Sequence, residues 1–354
     1  MRFSAAFAVV VLSAGLAACG STAKSSSDSS PAVAQSQLDT AGGAPTTGPD
    51  AGRPAVPNAD KNATSASRPA TAITPPPATS GPGVGRPAVR IGDESSPEQD
   101  VLGALYARAL AAKGFKVTLK DNVGSSETTY RALTSGQIDM YPEHIGTLLS
   151  TIAKRTQTPS SATATYERAQ AFVNGQGLAL LNYTPFSNSD ALATQPRYAG
   201  EHGLSSIADL QTMGKSVTLG APPEFATRFE GLRGLKREYG LDPTFTPIAS
   251  DLSFKALESD RVDVQSVSTT AGQLLSGKFE LLGDPKHVFG FQNAAPVIKR
   301  SVLAAEGPAF ARTLNKVSSL LTIGAMLKMN AAVGLDKQSA STVALHFLAA
   351  NGLA

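Results

Sequence analysis

Between Gly124 and Ser150 the apolar positions change rhythm. Tyr130, Ala132 and Leu133 line one side of a helix, and Ile138-Asp139-Met140-Tyr141 then reads as a short extended run. Gly124-Ser125-Ser126 is a turn whose serines cap that helix, Gly136 stops it, and Pro142 is expected to end the strand. The same rhythm returns later. Phe254 to Gln265 matches Tyr130 to Tyr141 position for position, and Ala271 to Ser276 closes the second copy as Ile145 to Ser150 closes the first. Two copies of one helix–strand unit predict two lobes of similar build facing each other, against the blander reading that such units simply look alike.

Around these copies the pattern fills in two α/β lobes. Ala88 to Gly92 is a strand, and Ser96-Pro97-Glu98-Gln99 opens a helix with an N-cap serine, a proline at its first position and Gln99 reaching back as a capping box. Val101, Leu102, Leu105, Ala109 and Ala112 form the buried face, and Gly114 ends the helix. Phe115 to Leu119 is the second strand. A strand–helix–strand–helix–strand order means a parallel sheet with a ligand crevice beyond the carboxyl ends of its strands. Three segments point there: Asp93 to Ser96, Gly124 to Ser126, and Tyr141 to His144. Two are helix N-termini, where backbone N–H groups and the hydroxyls of Ser96, Ser125 and Ser126 suit an anionic or hydroxylated group. The second lobe follows a crossover near Asn188 to Thr194. It has strands at Ser216 to Gly220, Phe245 to Ile248, Val262 to Gln265 and Phe279 to Leu282, and one helix from Pro223 to Tyr239 closed by Gly240. Ala294 to Ile298 returns to the first lobe, and helices near Pro308 to Leu320, Thr322 to Ala332 and Lys337 to Asn351 finish the chain. Two crossings between lobes are the plan of a hinged clamp.

Composition changes the picture mainly at the N-terminus. Arg2 followed by the apolar run Phe3 to Leu12 is a targeting segment too short to span a membrane, and Leu16-Ala17-Ala18-Cys19-Gly20 resembles the bacterial lipobox. That resemblance implies cleavage before Cys19, lipid on Cys19, and a mature protein on the outer face of the cytoplasmic membrane. Cys19 is the sole cysteine of the 354 residues, which excludes structural disulfides and thiol chemistry. Residues 20–86, rich in Ser, Thr, Pro and Ala, are expected to be a disordered tether with a reach on the order of 45 Å. The formal charge of +3 is small and scattered, so nucleic acid is not an expected partner. Lobe I is expected to comprise 87–190 with 295–354, and lobe II 191–294.

From about residue 88 the chain resembles the extracellular substrate-binding proteins of osmoprotectant ABC transporters, the glycine betaine, choline and carnitine class. That family reads IGSKNFTEQ where this chain has Ile91-Gly92-Asp93-Glu94-Ser95-Ser96-Pro97-Glu98-Gln99. It reads GSTEVVYKAL…IDLYPEYTGT where this chain has Gly124 to Leu133 and Ile138 to Thr147. Its PEF..R.DGL.GLK..YGL corresponds to Pro223-Glu224-Phe225, Arg228, Glu230-Gly231-Leu232, Gly234-Leu235-Lys236 and Tyr239-Gly240-Leu241, and AAPV stands at Ala294 to Val297. The resemblance implies an α/β, type II periplasmic-binding-protein fold, with two Rossmann-like lobes closing on a small solute for an ABC permease and its ATPase.

The expected pocket departs from that family in one direction. A quaternary ammonium is held by cation–π contacts in an aromatic cage, each worth roughly 0.5–2 kcal/mol. Where the relatives have aromatics, this chain has Ser96, Asp190, Ser268 (with Thr269 beside it) and Gln292-Asn293; Tyr141 survives and His144 replaces a second tyrosine. Hydroxyls, amides and a carboxylate suit a polar or zwitterionic ligand. Quaternary-ammonium binding and a non-transporting ligand sensor are the alternatives. Arg228 either grips a ligand carboxylate or fixes its helix by an ion pair; Asp190 either contacts ligand or caps the hinge; Glu143 reads as a structural acceptor. His202, His287 and His346 show no metal spacing, and no catalytic or cofactor motif is present, so a monomeric binding protein is expected rather than an enzyme.

Overall fold

In a computed structural model the protein is described from residue 72 to residue 354; the expected leader, Cys19 and the tether through residue 71 lie outside the described residues. Lobe I is built on β1 (Ala72–Ile73), β2 (Ala88–Glu94), β3 (Lys116–Gly124), β4 (Met140–His144), β5 (Leu178–Leu180) and β11 (Ala294–Lys299). They form a six-stranded sheet ordered β1-β3-β2-β4-β11-β5. Lobe II holds β6 (Asp190–Thr194), β7 (Thr218–Ala221), β8 (Thr244–Pro247), β9 (Val264–Ser268) and β10 (Glu280–Leu282), ordered β10-β6-β9-β7-β8. In both sheets three strands are parallel (β3-β2-β4 and β8-β7-β9), and an antiparallel strand lies against the last of them, β11 on β4 and β6 on β9.

The repeat reaches individual side chains. Asp139, just before β4, gives its N–H to the Arg90 carbonyl at 2.7 Å and accepts the Arg90 N–H at 3.0 Å. Asp263, at the matching place before β9, gives its N–H to the Thr218 carbonyl at 3.1 Å and accepts the Thr218 N–H at 2.8 Å. Each aspartate thus locks the start of its own strand to the middle strand of its parallel trio, β2 or β7.

Helix α1 (Pro97–Ala111) starts where expected, with Ser96 Oγ accepting the Gln99 N–H at 3.3 Å. The other half of the capping box does not form: the Ser96 N–H goes to the Glu94 carbonyl, and the Gln99 amide turns to His144. The helix buries more than one face. Gly103, Ala104, Tyr106, Ala107 and Ala111 are buried with the predicted residues, while Ala112 is only half-buried. Small residues let α1 lie between β2, β3 and the C-terminal helices α9 (Pro308–Leu320), α10 (Ile323–Gly334) and α11 (Ala340–Ala350). Phe115 meets Phe310 edge-on at 5.2 Å in the same core.

The remaining helices are α2 (Ser126–Thr134), capped by Ser125, the single turn α3 (Ile145–Thr147), α4 (Ala162–Asn174), α5 (Pro196–His202), α6 (Gly234–Tyr239), α7 (Ser253–Glu258) and α8 (Arg300–Glu306). Three expectations need correction. Pro142 does not end its strand. It lies opposite Pro296, between the bonded pairs marked by Lys299 N–H to Asp139 and Ile145 N–H to Asn293, so neither proline's missing N–H falls within this ladder. The helix expected from Pro223 to Tyr239 is broken. Glu230 (ψ 38°) and Gly231 (φ −152°, ψ −143°) are non-helical, and Gly231 and Gly234 sit on the carbonyls of Phe225 and Phe229, where a Cβ would collide; only Gly234–Tyr239 remains α-helical, ended by Gly240 at φ 64°. The ordered body also begins before residue 87: β1 pairs with β3, and the Ala78 and Gly83 N–H groups bond to the carbonyls of Ala111 and Lys113.

Candidate ligand crevice

The lobes are joined where two crossings run side by side. Ser187 bridges Asn293, and the Asn188 N–H meets the Gln292 carbonyl at 3.0 Å. Each crossing passes at once into a sheet, the first into β6 and the second into β11. The end of β9 straps the first crossing: the Thr269 N–H donates to the Ser189 carbonyl at 3.0 Å, and Thr269 Oγ1 donates to the Ser187 carbonyl at 2.7 Å while accepting the Ser189 N–H at 3.1 Å. The carboxyl ends of β2, β3 and β4 open beside this hinge.

Alternation along β4 divides its side chains. Tyr141 and Glu143 share one face and His144 takes the other. Tyr141 was expected to face the crevice; it is instead fully buried (0 % exposed) in the lobe I core, donating its hydroxyl to Glu143 Oε2 at 3.1 Å. Glu143 also accepts the His144 N–H at 2.7 Å and stands beside the Glu94 carboxyl, with Ser126 next to it. Burial, and then the Glu94 charge, push the Glu143 carboxyl well above the usual range, and burial also raises Glu94. Glu143 is thus the structural acceptor that was expected.

His144 faces α1. Its Nε2 lies 3.1 Å from Glu98 Oε1, and Nδ1 lies 3.4 Å from the Gln99 amide. Glu98, 6 % exposed, draws in distant parts of the chain. It accepts from Asn188 in the hinge at 2.9 Å and from Asn330 in α10 at 2.8 Å, and Thr270 after β9 stands close by. Burial alone would raise the Glu98 carboxyl, but the bond and charge of His144, with Thr270 and Asn330 beside it, outweigh it and hold Glu98 low. The same pairing overcomes the burial that would depress the imidazole and raises His144.

The other predicted residues divide between crevice and clasp. Ser96 Oγ caps α1, and Ser125, exposed, caps α2 and donates to Glu127 at 3.1 Å. Asp190 and Arg228 pair with each other at 3.0 Å beside the hinge. Ser268 bonds Asn188 and Thr270. Gln292 accepts from the Thr147 N–H at 2.9 Å, and Asn293, buried, donates to the carbonyls of Thr184 (2.9 Å) and Phe186 (3.0 Å). The amide groups of Gln292 and Asn293 are thus engaged in fastening chain to chain. Sequence reasoning assigned no role to Glu94, Glu98, Asn188 or Asn330. Glu94 lies in a segment aimed at the crevice, whereas Asn188 and Asn330 carry no local signal. Among the described residues no group of three metal-ligating side chains could hold a metal.

Comparison with known proteins agrees with this architecture. Residues 87–350 match the family model "Substrate binding domain of ABC-type glycine betaine transport system". A glycine-betaine-binding protein of Pseudomonas aeruginosa is 32% identical over 271 residues, covering 73% of this chain and 86% of the relative. Glycine betaine-binding protein YehZ of Escherichia coli is 25% identical over 276 residues, covering 74% and 90% respectively. A crystal structure of a glycine betaine/carnitine/choline ABC transporter superposes with a TM-score of 0.70 at 24% identity, covering 75% of this chain and 99% of that one.

Proposed function

The chain belongs to the family of substrate-binding domains of ABC-type glycine betaine transport systems, and from that premise we propose how its crevice works. The protein is the extracytoplasmic substrate-binding component of an osmoprotectant-type ABC importer. It closes on a small polar or zwitterionic solute and delivers it to the permease. The observation that carries this reading is the pairing of two like lobes across adjacent crossings, Ser187 to Asp190 beside Gly290 to Ala294, with polar side chains where the lobes meet. Bending at those crossings shuts the lobes, and ligand shifts the balance by binding the closed form better.

The purified protein should therefore melt at higher temperature with its solute, gaining about 2.7 kcal/mol at a hundredfold excess over Kd. A thermal-shift screen of betaines, choline, carnitine, polyols, sugars and amino acids tests this; no stabilising compound would sink it. The glycine-betaine-binding relatives favour a second reading, a quaternary ammonium ligand, which the same screen separates. Lipid on Cys19 would tether the protein to the membrane, so Cys19→Ser should release it to the soluble fraction. A monomer without enzymatic activity completes the proposal, checked by light scattering.

A further inference from the structure

We propose that the tether docks on lobe I through Arg68, whose guanidinium enters a small cavity between α1, β3 and the start of α11. The occupant is the segment Arg68-Pro69-Ala70-Thr71 of the same chain. This concerns how the clamp is held and is independent of the solute it takes.

The cavity is the first support. It encloses about 150 Å³, with Arg108 of α1, Leu119 and Asp121 of β3 and Ser341 of α11 along its walls, and Asp93 and Asp100 where β2 ends and α1 begins. Asp93 is fully buried (0 % exposed) and accepts the Asn122 N–H at 2.6 Å, and Asp121 is buried as well. Arg108 turns to Ser341, whose Oγ takes two of its N–H groups. Three carboxylates thus share the space with one guanidinium, and carboxylates are buried at least cost when a further cation comes in with them.

Chain direction is the second. β1 pairs antiparallel with β3, Ala72 opposite Lys120 and Ile73 opposite Leu119, so the residues before Ala72 head toward the carboxyl end of β3. One step back, Thr71 comes opposite Asp121. The ladder goes no further than Ala70, because Pro69 has no N–H to give and β3 slips its register with β2 between Gly92 and Glu94. Arg68 then arrives beside Asp93 and Asp100, released from strand alternation. The chain that follows is already seated: Pro75 is buried and lines the same cavity, and the Ala78 N–H bonds the Ala111 carbonyl at 2.8 Å.

Sequence singles out the cation. Residues 20–71 hold Lys24, Arg53, Lys61 and Arg68. Four residues of extended chain cover ~13 Å, which brings Arg68 to the acidic end of the cavity, whereas Lys61 stands far back along the chain. A guanidinium also fits paired carboxylates better than an ammonium does, because its N–H groups form a planar fork. The tether then leaves lobe I at the crevice end of its sheet, and lipid on Cys19 would hold lobe I while lobe II swings.

Hydrogen exchange of the whole chain, read by mass spectrometry, tests this. The amides of Ala70 and Thr71 should exchange about tenfold to a hundredfold more slowly than those of residues 40–60, at two protein concentrations tenfold apart. Arg68→Ala should remove that protection and Lys61→Ala should leave it. Arg68→Asp should abolish it too, and the exchange of charges, Arg68→Asp with Asp100→Arg, should bring it back. Wild-type amides at 70 and 71 that exchange as fast as those of 40–60 overturn the inference, and so does protection that survives Arg68→Ala. Protection that fades on dilution overturns it as well, since a second copy's tether would then occupy the cavity.

Discussion

Replacing Glu98 with alanine leaves three donors from three separate segments without their acceptor: His144 at 3.1 Å, Asn188 at 2.9 Å and Asn330 at 2.8 Å. At about 1 kcal/mol or more for each stranded donor, the loss is about 3 kcal/mol, at the lower edge of the roughly 3–5 kcal/mol expected when a buried ion pair loses one partner. The pH dependence is the sharper signature. Glu98 titrates below its ordinary value, so its contribution is present above the unfolded carboxylate value of about 4.3 and fades as pH falls through the folded one. His144 titrates above its ordinary value, so its contribution is complete below about 6.5 and fades as pH rises through the folded value. The gap between wild type and Glu98→Ala should therefore be widest from roughly pH 4.5 to 6.5 and narrow on both sides. Urea unfolding at four or five pH values, with circular dichroism and tyrosine fluorescence as concurrent probes, measures it. A gap below about 1 kcal/mol, or one that ignores pH, would refute the idea that these segments depend on one carboxylate.

The matching aspartates should differ in weight. Asp139→Ala loses the Arg90 guanidinium and Lys299 as well as a backbone N–H, and should cost about 3 kcal/mol; Asp263→Ala should cost about 2 kcal/mol, by the same unfolding assay. Burial would raise Asp139, but Arg90 and Lys299 hold it low, so its share is present above about pH 4 and disappears as acid protonates it. Gly272→Ala places a Cβ 2.5 Å from the Ala331 Cα, and should lower stability by about 1–3 kcal/mol as the 272–276 turn is pushed off α10, read from the melting temperature. Tyr141→Phe keeps the ring in the core and removes one donor to Glu143, so it should cost about 1–2 kcal/mol in denaturant while Kd changes less than about threefold; a large loss of affinity would return Tyr141 to the crevice.

Local signals carried most of the fold. Ser96, Ser125 and Thr322 cap helices because a short side-chain oxygen can reach the N–H two or three residues on, a relation visible in any window of four. The break after Ala226 was less legible: Gly231 and Gly234 were present, but a glycine inside a helical pattern does not reveal that a neighbouring carbonyl occupies the space of its Cβ. Pro142 misled because its tolerance depends on the bonding parity of a partner strand that arrives with residue 294. In the crevice, Asp190 and Arg228 were recognisable as a charged pair of choices. Glu98 was not, since an acid in the first turn of a helix is ordinary, and only tertiary neighbours from residues 188 and 330 make it unusual.

The seat of β11 bears on how the molecule is made. Residues 294–299 fill the gap between β4 and β5, so a chain exported N-terminus first holds those two strands apart, each with an open flank, until its final portion has crossed. Lobe II needs only residues 190–282 for its sheet, an unbroken stretch, and is free to condense earlier. An open flank left waiting invites pairing with other chains, and a slow or interrupted passage across the membrane should expose that hazard first. The half that leads the chain outward is the last to be sealed.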